Sequence, residues 1–478
     1  MPRLPFSLIR RAHSISPNLS LLLLATRSIP LAKAELRWLR DHVAVETDSS
    51  KPSPCNGDDP DILGVQRFAR AVRLRRLCKR RSKGEPLQYI LGTQPFWPLE
   101  ILCRKGVLIP RQETEASTHF LASRLNTIFP RAESSPSSPS SASPPAPAAA
   151  PLKILDICTG TGCISLLLAH LLANKSPSSN SPSPEEAETA THSTQTPPTS
   201  GPGPGPGNRQ LIIRGIDISP RAISLARKNI LHNSHLLPPI STSVSLAKSS
   251  GGEAAISFRK ADILIPSPNL SWCLSPPRIS PSPSTPSSAF SSASPSSSPA
   301  ASGWDVVTAN PPYISPPSFS SSSSITTSKT ARSVRNWEPK LALVPPAVPI
   351  SSNISSLGNC SCEKHPEDIF YARILHLAAS SSSSSYGDQQ PPRVIFFEVG
   401  DLAQAIRVVE LALCHEAWRG SFTTGTGRIE VWRDVPDMAP SQEQAEGSGE
   451  EEPSVTVQGR EIPVLGTGEG RSVFIQRY

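Results

Sequence analysis

The 478-residue chain is long enough for two or three domains, but 53 prolines and an aromatic share of only 5% leave much of it unable to bury a core. Setting aside the Ser/Pro-rich stretches leaves roughly 250–300 residues, enough for one α/β domain and a small companion. The net charge of +8 invites a nucleic-acid partner, but Arg3, Arg10, Arg11, Arg27, Lys33, Arg37 and Arg40 face only Glu35 in the first forty residues, so most of the excess is N-terminal and no stable nucleic-acid binding is expected. No run approaches the roughly 20 apolar residues of a membrane span. The nine cysteines are odd in number and scattered, which argues against a disulfide framework. Cys360-x-Cys362 with His365 lacks a second ligand pair, so no metal is expected.

Residues 1–30 carry Arg and Ser, no acid, and amphipathic apolar positions, as in a mitochondrial transit peptide. Leu21–Ala25 is brief for a secretory core, and Arg27 follows at once. Helical spacing predicts helices over Ala32–Val43 and Ile62–Arg80, the latter with an apolar stripe of Ile62, Val65, Phe68, Ala69 and Val72. Its other face is strongly basic, either merely solvated or in contact with an RNA-rich partner or a docking protein. Residues Gly84–Arg111 read as hairpin-like strands, and Glu113–Phe129 as a helix.

Beyond residue 150, strands and helices alternate. Strands are predicted over Leu152–Ile157, Gln210–Ile218, Ile256–Ala261, Trp304–Ala309, Val394–Val399, Arg428–Arg433 and Ser472–Arg477. Helices are predicted over Ser165–Ala173, Pro220–His232 (capped by Ser219), Asp368–Ala379 and Leu402–Cys414. This is a doubly wound, mainly parallel α/β sheet. Low-complexity inserts at 133–150, 175–208, 265–302, 315–330 and 438–458 fall between elements, where added loop length costs little closure entropy.

Two stretches carry chemistry. Asp156-Ile-Cys-Thr-Gly160-Thr-Gly162 follows the first strand and enters a helix; glycines there let backbone approach a ligand. Asp217, near the end of the next strand, can grip ribose hydroxyls. The loop is not the dinucleotide fingerprint. Asn310-Pro311-Pro312-Tyr313 ends the fourth strand. The Asn side-chain oxygen and the carbonyl of Pro311 are two acceptors, the prolines stiffen the backbone, and the ring is a wall for a planar group. Such a turn can hold a planar nitrogen before an electrophile. Asp262 also falls at a strand's carboxyl end, where ligands bind in open α/β sheets.

On these stretches the chain resembles the class I S-adenosylmethionine-dependent methyltransferases, with a Rossmann-like, seven-stranded, mostly parallel sheet. More narrowly it resembles the HemK/PrmC family of protein-(glutamine-N5) methyltransferases. The matching segments are GEPLQYILG (84–92), VLIPRQETE (107–115), DICTGTGCI (156–164), IDISPRAISLARKN (216–229), NPPYI (310–314), WEPKLAL (337–343) and FFEVG (396–400). The resemblance implies S-adenosylmethionine as cofactor and, as substrate, the glutamine of a Gly-Gly-Gln loop in a mitochondrial peptide chain release factor. It implies a matrix enzyme with a leader over 1–30, a helical substrate-recognition domain over 31–92, a linking hairpin over 93–111 and the catalytic domain over 112–478. Asp156, Cys158, Thr159, Gly160, Thr161 and Gly162 would line the methionine end of the cofactor, Asp217 the ribose, and Asp262 and Ile263 the adenine, with Asn310 shared between cofactor and substrate. Asn310, Pro311, Pro312 and Tyr313 would hold the substrate amide; Arg111, Glu113, Thr114 and Glu115 would brace the pocket. Cys158 stands where the family often has Gly. The alternatives are an enzyme acting on an exocyclic amine of a DNA or RNA base, and a scaffold that binds without turnover.

Overall fold

The computed structural model describes residues 4–48, 60–131, 150–173, 209–240, 254–276, 303–320, 331–347, 365–380, 391–437 and 453–478. In chain order its elements are α1 (Phe6–Ile15), α2 (Pro17–Thr26), α3 (Ile29–Asp48), α4 (Pro60–Ser82), α5 (Leu87–Leu91), β1 (Thr93–Phe96), β2 (Leu99–Leu102), α6 (Gln112–Ile128), β3 (Leu152–Ile157), α7 (Cys163–Ala173), β4 (Leu211–Asp217), α8 (Pro220–His232), β5 (Ala254–Lys260) and α9 (Pro268–Leu274). Then come β6 (Val306–Ala309), α10 (Pro316–Ser320), α11 (Arg332–Trp337), α12 (Ile369–Ser380), β7 (Val394–Glu398), α13 (Leu402–Cys414), α14 (Glu416–Thr423), β8 (Gly427–Val435), β9 (Ser454–Val457), β10 (Arg460–Leu465) and β11 (Thr467–Arg477). They form two compact units: Met1–Gln94, Leu102–Ile109 and Pro316–Ala342 make the first, and Pro95–Ile101, Pro110–Ser315 and Leu343–Tyr478 the second.

In the first unit, Leu19, Leu22 and Leu23 of α2 are buried with Leu36, Leu39 and Val43 of α3 and Leu77 and Cys78 of α4. The leucine run that resembles a targeting core is therefore part of this unit's packed interior. Helices α3 and α4 run antiparallel, since Arg81 grips Glu35 at 2.8 and 2.9 Å while Arg73 grips Glu46 at 3.1 and 3.2 Å. That pairing explains a departure from the sequence reading. Val65, Phe68 and Val72, expected to face inward, are 69%, 73% and 53% exposed. They precede Arg73, which already lies opposite the last turns of α3, so among the described residues the first turns of α4 overhang their partner.

Residues 87–91, expected as strand, form α5 instead. Gly92, at φ 88°, closes that helix in the left-handed conformation that glycine adopts without a Cβ penalty. A small cluster joins three of the motif segments inside this unit. Tyr89, Cys103, Ile109 and Trp337 pack together. The Tyr89 hydroxyl donates to the Val107 carbonyl at 2.6 Å, and the Ile109 N–H donates to the buried Glu338 carboxylate at 3.1 Å.

The second unit is built on a nine-stranded sheet in the order β5-β4-β3-β6-β7-β11-β8-β10-β9. Strands β5 to β7 are parallel, and β11 is antiparallel to both neighbours. The first seven strands in that order are the expected seven. The β9–β10 hairpin adds two at the edge, and β9 lies within the 438–458 stretch expected as a low-complexity insert. Its signal is short: Val455 and Val457 alternate inward, and Gln458-Gly459 turns at φ 50° and 76°, the paired positive dihedrals of a type I′ hairpin. Alternate strand residues fill two cores. Leu155, Ile157, Val307, Ala309, Ile395 and Phe397 face one side, with residues of α12, α13 and α14. Ile154, Val306, Val394 and Phe396 face the other, with residues of α6, α7 and α8. Helix α9 lies in the 265–302 stretch expected as a low-complexity insert, fixed by Arg214, whose guanidinium donates to the carbonyls of Trp272, Cys273 and Ser275. Among the described residues no helix is long and apolar enough to cross a membrane.

Candidate active site

The parallel register sets the site. Ile157 pairs with Ile216 on one side and Ala309 on the other, and Ala309 pairs with Phe397. The next residue on each strand is Cys158, Asp217, Asn310 and Glu398. These four polar side chains thus stand side by side at the carboxyl edge of adjacent strands, where open α/β sheets bind ligands.

The loop between β3 and α7 is held from behind by Asp156. This carboxylate is fully buried and accepts hydrogen bonds from Thr159 and Ser165, both at 2.6 Å, and from Thr308 at 3.0 Å. Burial pushes its pKa up, and the three hydroxyl donors oppose that shift. Asp156, expected at the methionine end of the cofactor, thus shapes the loop from behind through these three hydroxyls. Thr159 and Thr161 are buried as well, which leaves Cys158 and Gly160 as the partly exposed residues of the turn. Gly162 sits at φ 81°, and a Cβ there would come within 2.8 Å of the Phe258 ring and 3.2 Å of Ala226. Only glycine lets α7 leave the strand so close to β5 and α8.

Cys158 adopts φ 60°, a left-handed conformation that costs a residue with a Cβ on the order of 1–2 kcal/mol. Burial raises its thiol well above the ordinary range, with Asp217, Asp156 and Asp262 adding to the shift, so it is no thiolate. Cys158→Gly should relieve the backbone strain and raise stability by about 1 kcal/mol, an increase of roughly 2–4 °C in Tm for a unit of this size, read by calorimetry.

Asp217 accepts from the Gly160 N–H at 3.0 Å through one oxygen and from the Ser219 N–H at 2.8 Å through the other. It ties the glycine turn to the start of α8 and keeps lone pairs on both oxygens. Burial raises its pKa against those two amide donors. Asp262 follows β5 and accepts from the Leu264 N–H at 2.9 Å. The Ile263 side chain, expected beside a purine, packs with Leu270 and Trp304. Two carboxylates at neighbouring strand ends beside a glycine turn suit a ligand with a ribose diol and an exocyclic amine.

On the other side of the loop, Pro311 and Pro312 are buried and Asn310 and Tyr313 half-buried. The Tyr313 ring lies against Gly400, where a Cβ would meet the ring at 3.1 Å. Gln404 fastens the turn from below, its amide nitrogen reaching the Tyr313 carbonyl at 3.4 Å and Asp368 at 2.8 Å. Asp368 is also paired with Arg407 at 2.5 Å. Ile314 and Leu343 are joined by an N–H···O bond of 2.8 Å, which closes the base of the excursion over Pro316–Ala342. Burial pushes the Tyr313 phenol far above its ordinary value, so the ring stays neutral.

Glu398 is the feature that the sequence reading passed over, although it stands inside FFEVG. It is buried and accepts from the Thr114 hydroxyl at 2.6 Å and from the Asn310 side chain. Burial raises its pKa to about 7, with Glu113 adding and Thr114, Arg111 and Asn310 opposing. Of the residues expected to brace a pocket, Thr114 holds this carboxyl and Glu113 is a nearby charge. Glu115 lies apart, accepting from the Trp97 backbone, with its pKa raised by burial. The signal was available: an acid ending a five-residue apolar strand adjacent to the turn. Cys360 and Cys362 lie outside the described residues, and no group of three or more His, Cys, Asp or Glu among the described residues could hold a metal.

The strand order, the glycine turn after the first strand and the acid ending the second define a class I S-adenosylmethionine-dependent methyltransferase fold. No protein-family model matches the chain. It is 32% identical to the mitochondrial MRF1 N(5)-glutamine methyltransferase of Saccharomyces cerevisiae, over 49% of this chain and 50% of that protein. A probable MRF1 mitochondrial N(5)-glutamine methyltransferase of Schizosaccharomyces pombe is 25% identical over 88% and 92%. A release factor glutamine methyltransferase of Haemophilus influenzae is 38% identical over 21% and 30%. The matches to the first and third of these thus span half and under a third of their lengths. Among solved structures, a human methyltransferase 10 domain-containing protein aligns over 78% of this chain and 84% of its own at 11% identity, with a TM-score of 0.30, too loose a likeness to inform the site. Over these stretches the chain is similar to N(5)-glutamine and release factor glutamine methyltransferases.

Proposed function

We propose that the protein uses S-adenosylmethionine to methylate the glutamine side-chain amide in the Gly-Gly-Gln loop of a mitochondrial peptide chain release factor. The observation that carries this reading is the Asn310–Tyr313 turn, rigid and fastened by Glu398 and Gln404, one strand away from the Cys158–Gly162 turn. The names of the relatives supply the substrate.

The donor set fits the cofactor. Asp217 would hold the ribose hydroxyls, Asp262 the adenine amine, and the backbone of Cys158–Gly162 the methionine end. When bound, S-adenosylmethionine supplies an electrophilic methyl group on a sulfonium. The rest falls to this chain. An amide nitrogen is a poor nucleophile because its lone pair is delocalised into the carbonyl. Asn310 Oδ1 and the Pro311 carbonyl would accept its two N–H bonds and aim the nitrogen, while Tyr313 walls the amide plane. Orientation of this kind supplies several kcal/mol, and up to about 7–11 kcal/mol in well-aligned cases. No strong base is needed, because the nitrogen becomes acidic once it has been alkylated.

We assign release-factor recognition to the first unit, and the basic face of α4 supports a protein or ribosomal partner. We further propose a mitochondrial location, supported by the relatives' names and the Arg-rich N-terminus. A cut after residue 30 would strip Leu19, Leu22 and Leu23 from the core of the first unit. Any cleavage of a leader is therefore expected upstream of Leu19, and N-terminal sequencing of the organellar protein checks this. The substrate class is tested by incubating the purified protein with labelled S-adenosylmethionine and, separately, release factor, DNA and RNA. Label is expected on the release factor; label confined to nucleic acid would replace this reading with the base-amine alternative.

A further inference from the structure

Asn310 has a side chain that can point two ways. Its oxygen and nitrogen are nearly the same size, but only one orientation serves an amide substrate: Oδ1 must accept one of the two substrate N–H bonds, so Nδ2 must face away. An asparagine turned the other way would set N–H against N–H. The backbone and the two prolines cannot choose between these orientations, because a flip of the amide changes no volume.

We propose that Glu398 is the positioning residue that fixes this choice: its carboxylate accepts the Nδ2–H bond of Asn310 and so commits Oδ1 to the substrate side. The inference rests on the Asn310 turn being the amide-binding side of the site, as proposed above. Three observations carry it. Glu398 is 4% exposed and follows Asn310 in the same row of the sheet. It receives a hydrogen bond from the Asn310 side chain. It is itself fixed by the Thr114 hydroxyl at 2.6 Å, and its own carbonyl accepts from Tyr371 at 2.8 Å. A carboxylate can only accept, whereas its protonated form can donate a proton to Asn310 Oδ1 and favour the wrong orientation. The same link gives the Thr114 of the LIPRQETE segment a task in the reaction without substrate contact.

A pH dependence follows. The titratable and charged groups around Glu398 are Arg111 and Glu113 at the start of α6, Tyr313 after β6, Tyr371 on α12 and Cys163 at the start of α7, with Arg471 of β11 facing Tyr313. Burial pushes Tyr313 and Tyr371 well up and Cys163 up to about 12, so none of these three titrates near neutrality. Glu398, pushed up to about 7, does. Activity should therefore rise with pH through about 7, as the accepting carboxylate replaces the donating acid.

The test compares wild type, Glu398→Gln, Thr114→Val and Thr114→Ser. Glu398→Gln keeps the shape but can present N–H to Asn310. It should lower kcat/KM for release factor about tenfold, leave S-adenosylmethionine affinity unchanged and flatten the pH profile near 7. Thr114→Val should lower and broaden the profile, and Thr114→Ser should restore it. Independently of any substrate, the side-chain amide NMR signal of Asn310 should shift with pH through about 7 in wild type and not in Glu398→Gln. A wild type that leaves release factor unmodified while this signal still follows Glu398 would overturn the substrate and support the positioning role. An Asn310 signal blind to pH and to Glu398→Gln, with matching pH–rate profiles, would overturn the positioning role.

Discussion

Asn310→Ala should lower the rate of methyl transfer by on the order of a thousandfold while leaving cofactor affinity nearly intact. The substitution removes Oδ1, the acceptor that aims the substrate nitrogen, and removing one preorganised polar group of this kind costs about 10²–10³ in kcat. It also takes away the side chain that Glu398 holds, so no neighbour can supply the lost contact. Asp217 and Asp262 lie on the far side of β3 from β6, the Gly160 turn is held by Asp217, and all keep their own hydrogen bonds, so binding of the cofactor is not expected to follow. Isothermal titration with S-adenosylmethionine beside single-turnover transfer separates the two effects. Equal loss of both would mean that Asn310 is chiefly a cofactor residue.

Asp217→Ala should do the converse. A hydrogen bond to a charged group contributes about 1.5–3 kcal/mol, so the ribose contact alone is expected to weaken S-adenosylmethionine binding by roughly 10–100-fold. The loss reaches further, because Asp217 also receives the Gly160 and Ser219 amides. Without it the glycine turn loses its tie to α8, which adds to the drop in affinity. At saturating cofactor, kcat should stay within a few-fold of wild type, since the Asn310 turn is untouched. Unchanged affinity in a calorimetric titration would remove Asp217 from the cofactor site.

The α/β alternation was legible because its strands are long apolar runs with clear stops, and Leu152–Ile157, Pro220–His232 and Leu402–Cys414 match to the residue. Ser219 also caps α8 as expected, accepting from Ala222 at 3.3 Å. What escaped depended on tertiary context. The stripe Val65–Phe68–Val72 has helical spacing, but spacing says nothing of whether a partner helix extends far enough to cover it. Helix α9 and strand β9 are short pieces inside polar stretches, one held by the carbonyl contacts of a distant arginine, the other by a hairpin turn.

In the site, the residue types were readable and their orientations were not. Asp156 is enclosed by three hydroxyls, two of which, Ser165 and Thr308, come from neighbouring elements that spacing in the sequence does not bring together. Ile263 lends its side chain to the core beside the second carboxylate, Asp262. Glu398 joins Thr114 and Asn310 across 284 residues of sequence in one direction and one strand of sheet in the other, a link that only the folded register reveals.

Methyl transfer to one glutamine amide is read most directly by mass spectrometry. Recombinant mitochondrial release factor is treated with the purified protein and S-adenosylmethionine, digested, and fragmented by mass spectrometry, alongside a factor whose Gly-Gly-Gln glutamine is replaced by alanine. A single methyl group on that glutamine's side-chain nitrogen, absent from the alanine factor and absent with the Asn310→Ala enzyme, is the expected result. An unmodified glutamine in the presence of bound cofactor, or a methyl group elsewhere that persists in the alanine factor, would contradict it.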